Sequence, residues 1–452
     1  MNTDDNNTSL LKILVIVFGV ALTLRLVFFI CMVNQVDPAT LGELSPDMTG
    51  YVNAAHTILD NFSMDSRGVI IFGPGYPVFL AIALFIFRSL VAAIILQIVI
   101  SSLASSLLAL LAYNLTQKKS IALTAGLFNS ISLTSISLAN AALSDTLFFI
   151  LILTGFLLYL RILEKIRSCK FLEDDPPHQP GYWKLAVLTG LIFSAATLTR
   201  SIGLFVFIIL IIYTYFIYRA HPNRGKWIFW YFIKPSMIIT IIMLSITAGW
   251  VIRNYSLYDM PSPALSGLVA QFRMAAFIES KATDVDYDSI FQLYGNKISA
   301  SPDSSLHYYG RYGKIARSAF KKVMTEYPLL SVKMLAQNIN SNVHCESELH
   351  GAQVPEIMPL YRRIIKNVYK KGLNYRETLL CLLGLAWMIR KKQYLPAILL
   401  SMIWVYFAIL SGFTLWQGSR IFYPGQISTS ILMAAAIYYS SFLFIEKFNN
   451  HK

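Results

Sequence analysis

Long apolar runs set the first limit on what this chain can become. Segments 10–33, 90–113 and 201–218 carry few or no charges, and each is long enough to cross a hydrocarbon core, which takes about 20 helical residues. Composition agrees: 56% of residues are hydrophobic, 14% are charged and the mean hydropathy is +0.55, whereas about a quarter of a soluble domain is charged. A soluble enzyme is excluded. The chain reads as an all-α polytopic membrane protein.

Spans are expected at 10–33, 90–113, 120–139, 141–163, 184–200, 201–219, 230–252, 376–390, 394–412 and 421–445, about ten transmembrane helices in all. Segment 76–87 reaches only about 18 Å as a helix, which suits an interfacial or re-entrant helix better than a span. Basic residues support that choice. If 76–87 does not cross, then Lys118 and Lys119, the loops 161–184, 219–226 and 390–392, and Lys447 and Lys452 all fall inside, as the positive-inside bias requires. Both termini are then cytoplasmic, and the polar segments 34–75 and 254–375 face outward. The organisation expected is an N-terminal transmembrane module (1–253) with a first outer loop at 34–75, an extracytoplasmic loop region (254–375), and C-terminal transmembrane helices (376–452). The 10–33 run is too long for a signal-peptide core and lacks a cleavage pattern, so it reads as a retained anchor. Between 308 and 342, apolar positions recur at helical spacing around Pro328, reading as amphipathic helices able to lie on the membrane surface.

The formal charge of +14 is spread over short loops and one long segment rather than gathered in a patch. Anionic membrane lipid, and no nucleic acid, is the partner that this distribution predicts. The four cysteines show no metal or redox spacing.

Chemistry is sought at the outer face. Ser45-Pro46 reads as an N-cap and first helical residue, which puts Asp47 in a first turn whose dipole favours its ionised form, with Tyr51 on the same face. An ionised carboxylate there is a candidate base; the plainer reading is that it only stabilises its helix. Arg25, Asp145, Arg200, Arg253 and Arg420 lie inside or at the edge of spans, where ionisable groups are costly, and the topology puts all five toward the outer leaflet. Arginines near helix ends also snorkel to headgroups, so their shared side is the informative part. Segment 344–350 has metal-ligand residue types but no zinc spacing, and reads as a polar surface turn. No Gly-rich phosphate loop and no nucleophile elbow is present, so nucleotide-dependent chemistry is not expected.

The arrangement resembles the GT-C glycosyltransferases, in particular bacterial members similar to protein O-mannosyltransferases and the aminoarabinose transferase of lipid A. The residues carrying the resemblance are Arg25-Leu26, Asp47 with Tyr51, Pro74-Gly75-Tyr76-Pro77, Leu143-Ser144-Asp145-Thr146-Leu147 and Leu198-Thr199-Arg200. Trp250-Val251-Ile252-Arg253-Asn254-Tyr255, Glu326-Tyr327-Pro328 and Arg420-Ile421-Phe422-Tyr423-Pro424 complete the set. The resemblance implies a multi-pass enzyme of the inner (plasma) membrane. Such an enzyme takes a hexose or pentose from a polyprenyl-phosphate donor and passes it to a lipid, glycan or protein acceptor on the extracytoplasmic face. It implies Asp47 as the base; the residues themselves then suggest Arg200, Arg253 and Arg420 as donor-phosphate ligands and Tyr51, Asp145, Arg25 and Asn254 as supporting residues. The departure is Met48, which stands where many members carry a second adjacent acid. No cofactor is expected, and a divalent metal stays open. A lipid phosphate is already a good leaving group that arginines can stabilise, and one base without a carboxylate nucleophile argues for single displacement with inversion. The competing reading is a transporter or flippase of a lipid-linked sugar, for which the expected repeats are not seen. A scaffold would explain the hydrophobicity but not the outer-face charges.

Overall fold

The computed structural model describes residues 3–34, 37–167, 181–222, 226–300, 306–344, 373–415 and 417–449. Their regular structure is entirely helical, with no strand among them. The polar segment 345–350, most of the metal-like motif read above, lies outside the described residues.

The chain opens with α1 (Thr3–Val33). The first polar loop then folds into α2 (Pro46–Asn61), α3 (Arg67–Phe72) and α4 (Gly75–Phe87). Ser45 caps α2 by accepting from the Met48 amide at 3.3 Å, with Pro46 behind it at the first helical position, so the start signal forms as the residue types dictate. The bundle continues with α5 (Leu90–Thr116), α6 (Lys119–Ile131), α7 (Leu133–Ala139), α8 (Asp145–Arg167), α9 (Trp183–Thr199), α10 (Val206–Arg219) and α11 (Lys226–Tyr258). The second polar segment supplies α12 (Leu265–Thr283), α13 (Tyr287–Ser299), α14 (Tyr308–Glu326) and α15 (Pro328–Val343). The chain closes with α16 (Leu373–Arg390), α17 (Tyr394–Gly412), the single turn α18 (Ser419–Phe422) and α19 (Gln426–Asn449).

Six helices among the described residues are long and apolar enough to span: Thr8–Val33, Leu90–Thr116, Asp145–Arg167, Ser201–Arg219, Ile228–Tyr258 and Tyr394–Gly412. The expected span at 120–139 is instead two helices, α6 and α7, bent by 58° at their junction, which make a seventh when the pair is counted as one span. The expected span at 184–200 is the 17-residue α9, and α16 and α19 cover most of the segments read as spans at 376–390 and 421–445. Segment 76–87 forms the 13-residue α4. The protein is thus a multi-pass membrane protein whose described residues form a bundle of spanning, broken and shortened helices.

In the bundle, α8 is flanked by α5 and α9, α9 by α11, and α1 by α5 and α6. The second polar segment builds its own core. Phe272 stacks on Tyr312 at 5.1 Å and meets Phe291 and Tyr294 edge-on, as the apolar stripes of amphipathic helices require. Ile70 of α3 and Leu415, which precedes α18, are buried in that same core. The two polar loops therefore pack together over the end of the bundle.

Candidate active site

Four charged residues from four distant parts of the sequence meet where the loops cover the bundle. Arg420 of α18 places Nη1 2.6 Å from Oδ2 of Asp47 and Nε 3.0 Å from Oδ2 of Asp145, and Arg200 pairs with the other oxygen of Asp145. The Asp145 side chain is 1% exposed, Arg420 12%, Arg200 15% and Asp47 35%. Charge thus alternates from the buried Asp145 outward to an accessible Asp47. Every charge in this array has an opposite partner, which is what burial demands.

Local sequence explains each position. Asp47 is held in the first turn of α2. Asp145 opens α8 after the turn 140–144, so its carboxylate sits at a helix start, where the dipole favours negative charge. Arg200 adopts an extended conformation (φ −147°, ψ 124°) between α9 and the turn leading to α10, a break that turns the guanidinium away from the helix axis. The Pro74-Gly75 turn lies against that same break. A Cβ on Gly75 would come 2.6 Å from the Thr199 backbone nitrogen, and Gly73, at φ +94°, sits equally close to the Leu198 carbonyl, so only glycine permits this approach.

A cavity of about 980 Å³ opens over the array and is lined by Asp47, Tyr51, Arg200 and Arg420 together with Asn53, Asp65, Arg67, Ser144, Arg273 and Gln417. Tyr51 donates to Ser144 Oγ at 2.8 Å and packs against Phe72 and Tyr76. Burial raises its phenol pKa above the ordinary value, against the opposing pull of Arg420 and Arg200, so it remains a neutral donor.

Of the residues singled out in the sequence, Asp47, Tyr51, Asp145, Arg200 and Arg420 come together here. Arg253 and Asn254 do not line the cavity. Arg253 donates to the Met64 carbonyl at 3.1 Å and to Asn254 Oδ1 at 3.0 Å, and lies over the Trp250 ring, tying α11 to the first loop. Asn254, fully buried, donates to the Ser262 carbonyl at 2.9 Å. Arg25 is 0% exposed and lies among helices α1, α5 and α6, away from the cavity surface. Arg67 and Arg273 were not singled out by sequence reasoning. Arg273 had a signal, being the one charge within the apolar stretch 272–278 of α12; Arg67, in a polar loop, had none.

Met48 is buried with 0% exposure, so the position beside Asp47 contributes packing and no ligand. Asp47 and Asp145 both face guanidinium groups, and the described residues contain no group of three or more His, Cys, Asp or Glu side chains arranged for a metal.

Residues 79–252 match the sequence family described as dolichyl-phosphate-mannose-protein mannosyltransferase. The match takes in Asp145 and Arg200 but begins beyond Asp47 and ends before Arg420. No curated protein matches the sequence. Among solved structures, the archaeal oligosaccharyltransferase AglB from Archaeoglobus fulgidus, in complex with an inhibitory peptide and a dolichol-phosphate, superposes with a TM-score of 0.54 at 14% identity, covering 98% of this chain. The apo form of that enzyme superposes at 0.56 with the same identity and coverage. This chain shares the fold of those archaeal structures. It spans about half the length of those archaeal structures, 52% in each case. ArnT from Cupriavidus metallidurans is also similar, at 10% identity and a TM-score of 0.35 over 91% of this chain, too slight a likeness to argue from. The fold shared with the archaeal structures is the helical bundle; the charged array over its end is made of this chain's own residues.

Proposed function

We propose that this protein is a membrane glycosyltransferase that takes a sugar from a polyprenyl-phosphate donor and transfers it to an acceptor hydroxyl on the extracytoplasmic face, by a single displacement with inversion. The match to a family named for a dolichyl-phosphate-linked sugar supports the donor class. The observation that carries the reading is Arg420 bridging Asp47 and Asp145 at the floor of a cavity that the two polar loops enclose.

In this reading the carbon–oxygen bond between sugar and phosphate breaks as the acceptor oxygen attacks the anomeric carbon from the opposite side. The bonding electrons leave with the lipid phosphate. Arg200 and Arg420 stabilise that growing charge through charge-assisted hydrogen bonds in a partly dry site. Asp47, the most exposed member of the array, accepts the proton of the attacking hydroxyl. Asp145 stays behind the two arginines and fixes their planes. Arg253 lies outside the cavity and is assigned to holding the first loop through Met64. No step calls for a nucleotide.

The test is direct. Purified protein in lipid nanodiscs is incubated with radiolabelled dolichyl- or undecaprenyl-phosphate mannose, and free lipid phosphate is measured. Time-dependent release that requires added acceptor is expected. Movement of intact donor between leaflets of proteoliposomes, with no release of lipid phosphate, would replace this reading with the transport one.

A further inference from the structure

We propose that Arg25, buried and absent from the cavity lining, is a positioning residue for this site and acts by capping the break between α6 and α7. The kinetic half of the argument rests on the transfer reading above; the structural half does not.

Arg25 sits in the C-terminal third of α1 with its side chain wholly buried. A guanidinium there is tolerable only when oxygen acceptors surround it. Its Nε donates to Ser101 Oγ at 2.9 Å, and Nη2 donates to Ser135 Oγ at 2.6 Å and Ser105 Oγ at 3.4 Å. Nη1 donates to the Ala21 carbonyl at 3.1 Å. The remaining bonds are the informative ones: the carbonyls of Asn129 and Ser130 accept at 3.5 Å each. Both belong to the last turn of α6, whose carbonyls lack a following helical turn because the chain turns extended at Ser132 (φ −61°, ψ 122°) and departs at 58°. A cation at a helix C-terminus satisfies such carbonyls and complements the dipole. Arg25 therefore stabilises the broken geometry over a continuous helix.

The break matters because of what α7 carries. Ser132 Oγ donates to Gln426 Oε1 at 3.2 Å, Thr134 and Ser419 hydroxyls meet at 3.0 Å, and Ser135 Oγ meets the Tyr423 hydroxyl at 2.9 Å. Ser419 and Tyr423 flank Arg420, so α7 holds the segment that delivers Arg420 to Asp47 and Asp145. At the C-terminal end of α7, Gln97 Nε2 donates to the carbonyls of Leu138 and Ala139 and, just past the helix, to that of Ala141, while its Oε1 accepts from Tyr76, whose ring packs on Tyr51. One seven-residue helix thus braces both walls of the site, and Ser135 joins Arg25 to the Arg420 side through a single hydroxyl.

Two variants test this. Arg25→Lys keeps the charge but loses the fork that reaches several acceptors at once. Ser135→Ala removes only the connecting hydroxyl and stands in if the lysine variant does not fold. Turnover of dolichyl-phosphate mannose is expected to fall about 10- to 100-fold in Arg25→Lys and about fivefold in Ser135→Ala, since misplacing a catalytic group by about 1 Å costs about that much. In an Arg420→Lys background the same substitutions are expected to cost less than twofold further, because the group they position has already been altered. Equal losses in both backgrounds, or wild-type turnover in both single variants, would overturn the proposal. A substrate-free measurement keeps it separate from the transfer reading. Backbone amides of 419–423 and 425 should exchange with deuterium faster in both variants while those of α14 do not change; unaltered exchange at those positions overturns the proposal whatever the wild-type protein turns over.

Discussion

Asp47 is aimed by Arg420 more than by its own helix. The N-cap fixes where the carboxylate starts, but the 2.6 Å contact across 373 residues of sequence decides where it points. Asn at this position keeps the size and a hydrogen bond to the guanidinium and cannot take up a proton, so Asp47→Asn should bind donor normally and lose about 10²- to 10⁴-fold in turnover. Asp60, exposed at the other end of α2, is the control, and Asp60→Asn should stay within twofold of wild type. A turnover assay at saturating donor separates them; more than a tenth of wild-type activity in Asp47→Asn would remove it as the base. Arg420 carries two contacts in one planar fork, so Arg420→Lys should lose the bridge between Asp47 and Asp145 while keeping charge, and turnover should fall by at least tenfold.

Among the elements, the loop helices and the turn before α4 answer to different forces. Gly75 meets the backbone of Thr199, one residue before Arg200. Gly75→Ala must push α4 and α9 apart, and the expected result is a loss of about 1–3 kcal/mol in stability with a larger fractional loss of activity, measured by thermal unfolding beside turnover. In the loop core, Glu279 accepts from the Tyr294 hydroxyl and from Lys322 Nζ at 3.0 Å. Burial by itself would raise the carboxyl's pKa, but the bonds from Tyr294 and Lys322 together hold it below the ordinary value. The sign follows from linkage: a lowered folded-state pKa supplies stability above the unfolded carboxylate pKa, and that stability is lost as pH falls through the folded value. The Lys322 amine is raised, first by its bond to Glu279, so its share is present below its unfolded pKa and lost as pH rises through the folded one. Lys322 is 44% exposed, which keeps the pair's electrostatic share small. Glu279→Gln should therefore flatten the acid limb of the unfolding midpoint against pH and cost about 1 kcal/mol at neutral pH, while the wild-type midpoint keeps falling as the pH drops below the ordinary carboxylate pKa.

For the whole molecule, the site exists only if both polar loops lie on one side of the bilayer, since α3 and α12 line one cavity through Arg67 and Arg273. With the native cysteines replaced, single cysteines at the exposed positions Asp60 and Asp284 should react with an impermeant thiol reagent added to intact cells. Those at Gln117 and Lys391 should react only after the membrane is opened. Labelling of Gln117→Cys in intact cells would invert the topology and with it the extracytoplasmic site.

The helices themselves were legible in the sequence because they follow from local rules: apolar length for the spans, a serine and proline for the start of α2, Pro328 for the division between α14 and α15. Asp145, Arg200 and Arg420 were also legible, because an ionisable group near a bilayer is costly wherever it sits and its presence is visible without a partner, and Asp47 with Tyr51 because Ser45-Pro46 marks a helix start. Which of these charges would meet was not legible. Arg25 and Arg253 carry the same sequence signal as Arg200 and Arg420, yet one caps a broken helix and the other ties down a loop. The break at Ser132 was equally hidden, since the run 120–139 has the apolar length of one helix. Pairing, break and cavity arise from contacts between segments far apart in the chain, and hydropathy and local spacing hold no information about those. Tertiary packing alone decided them, because a buried charge settles wherever opposite charge and oxygen acceptors converge.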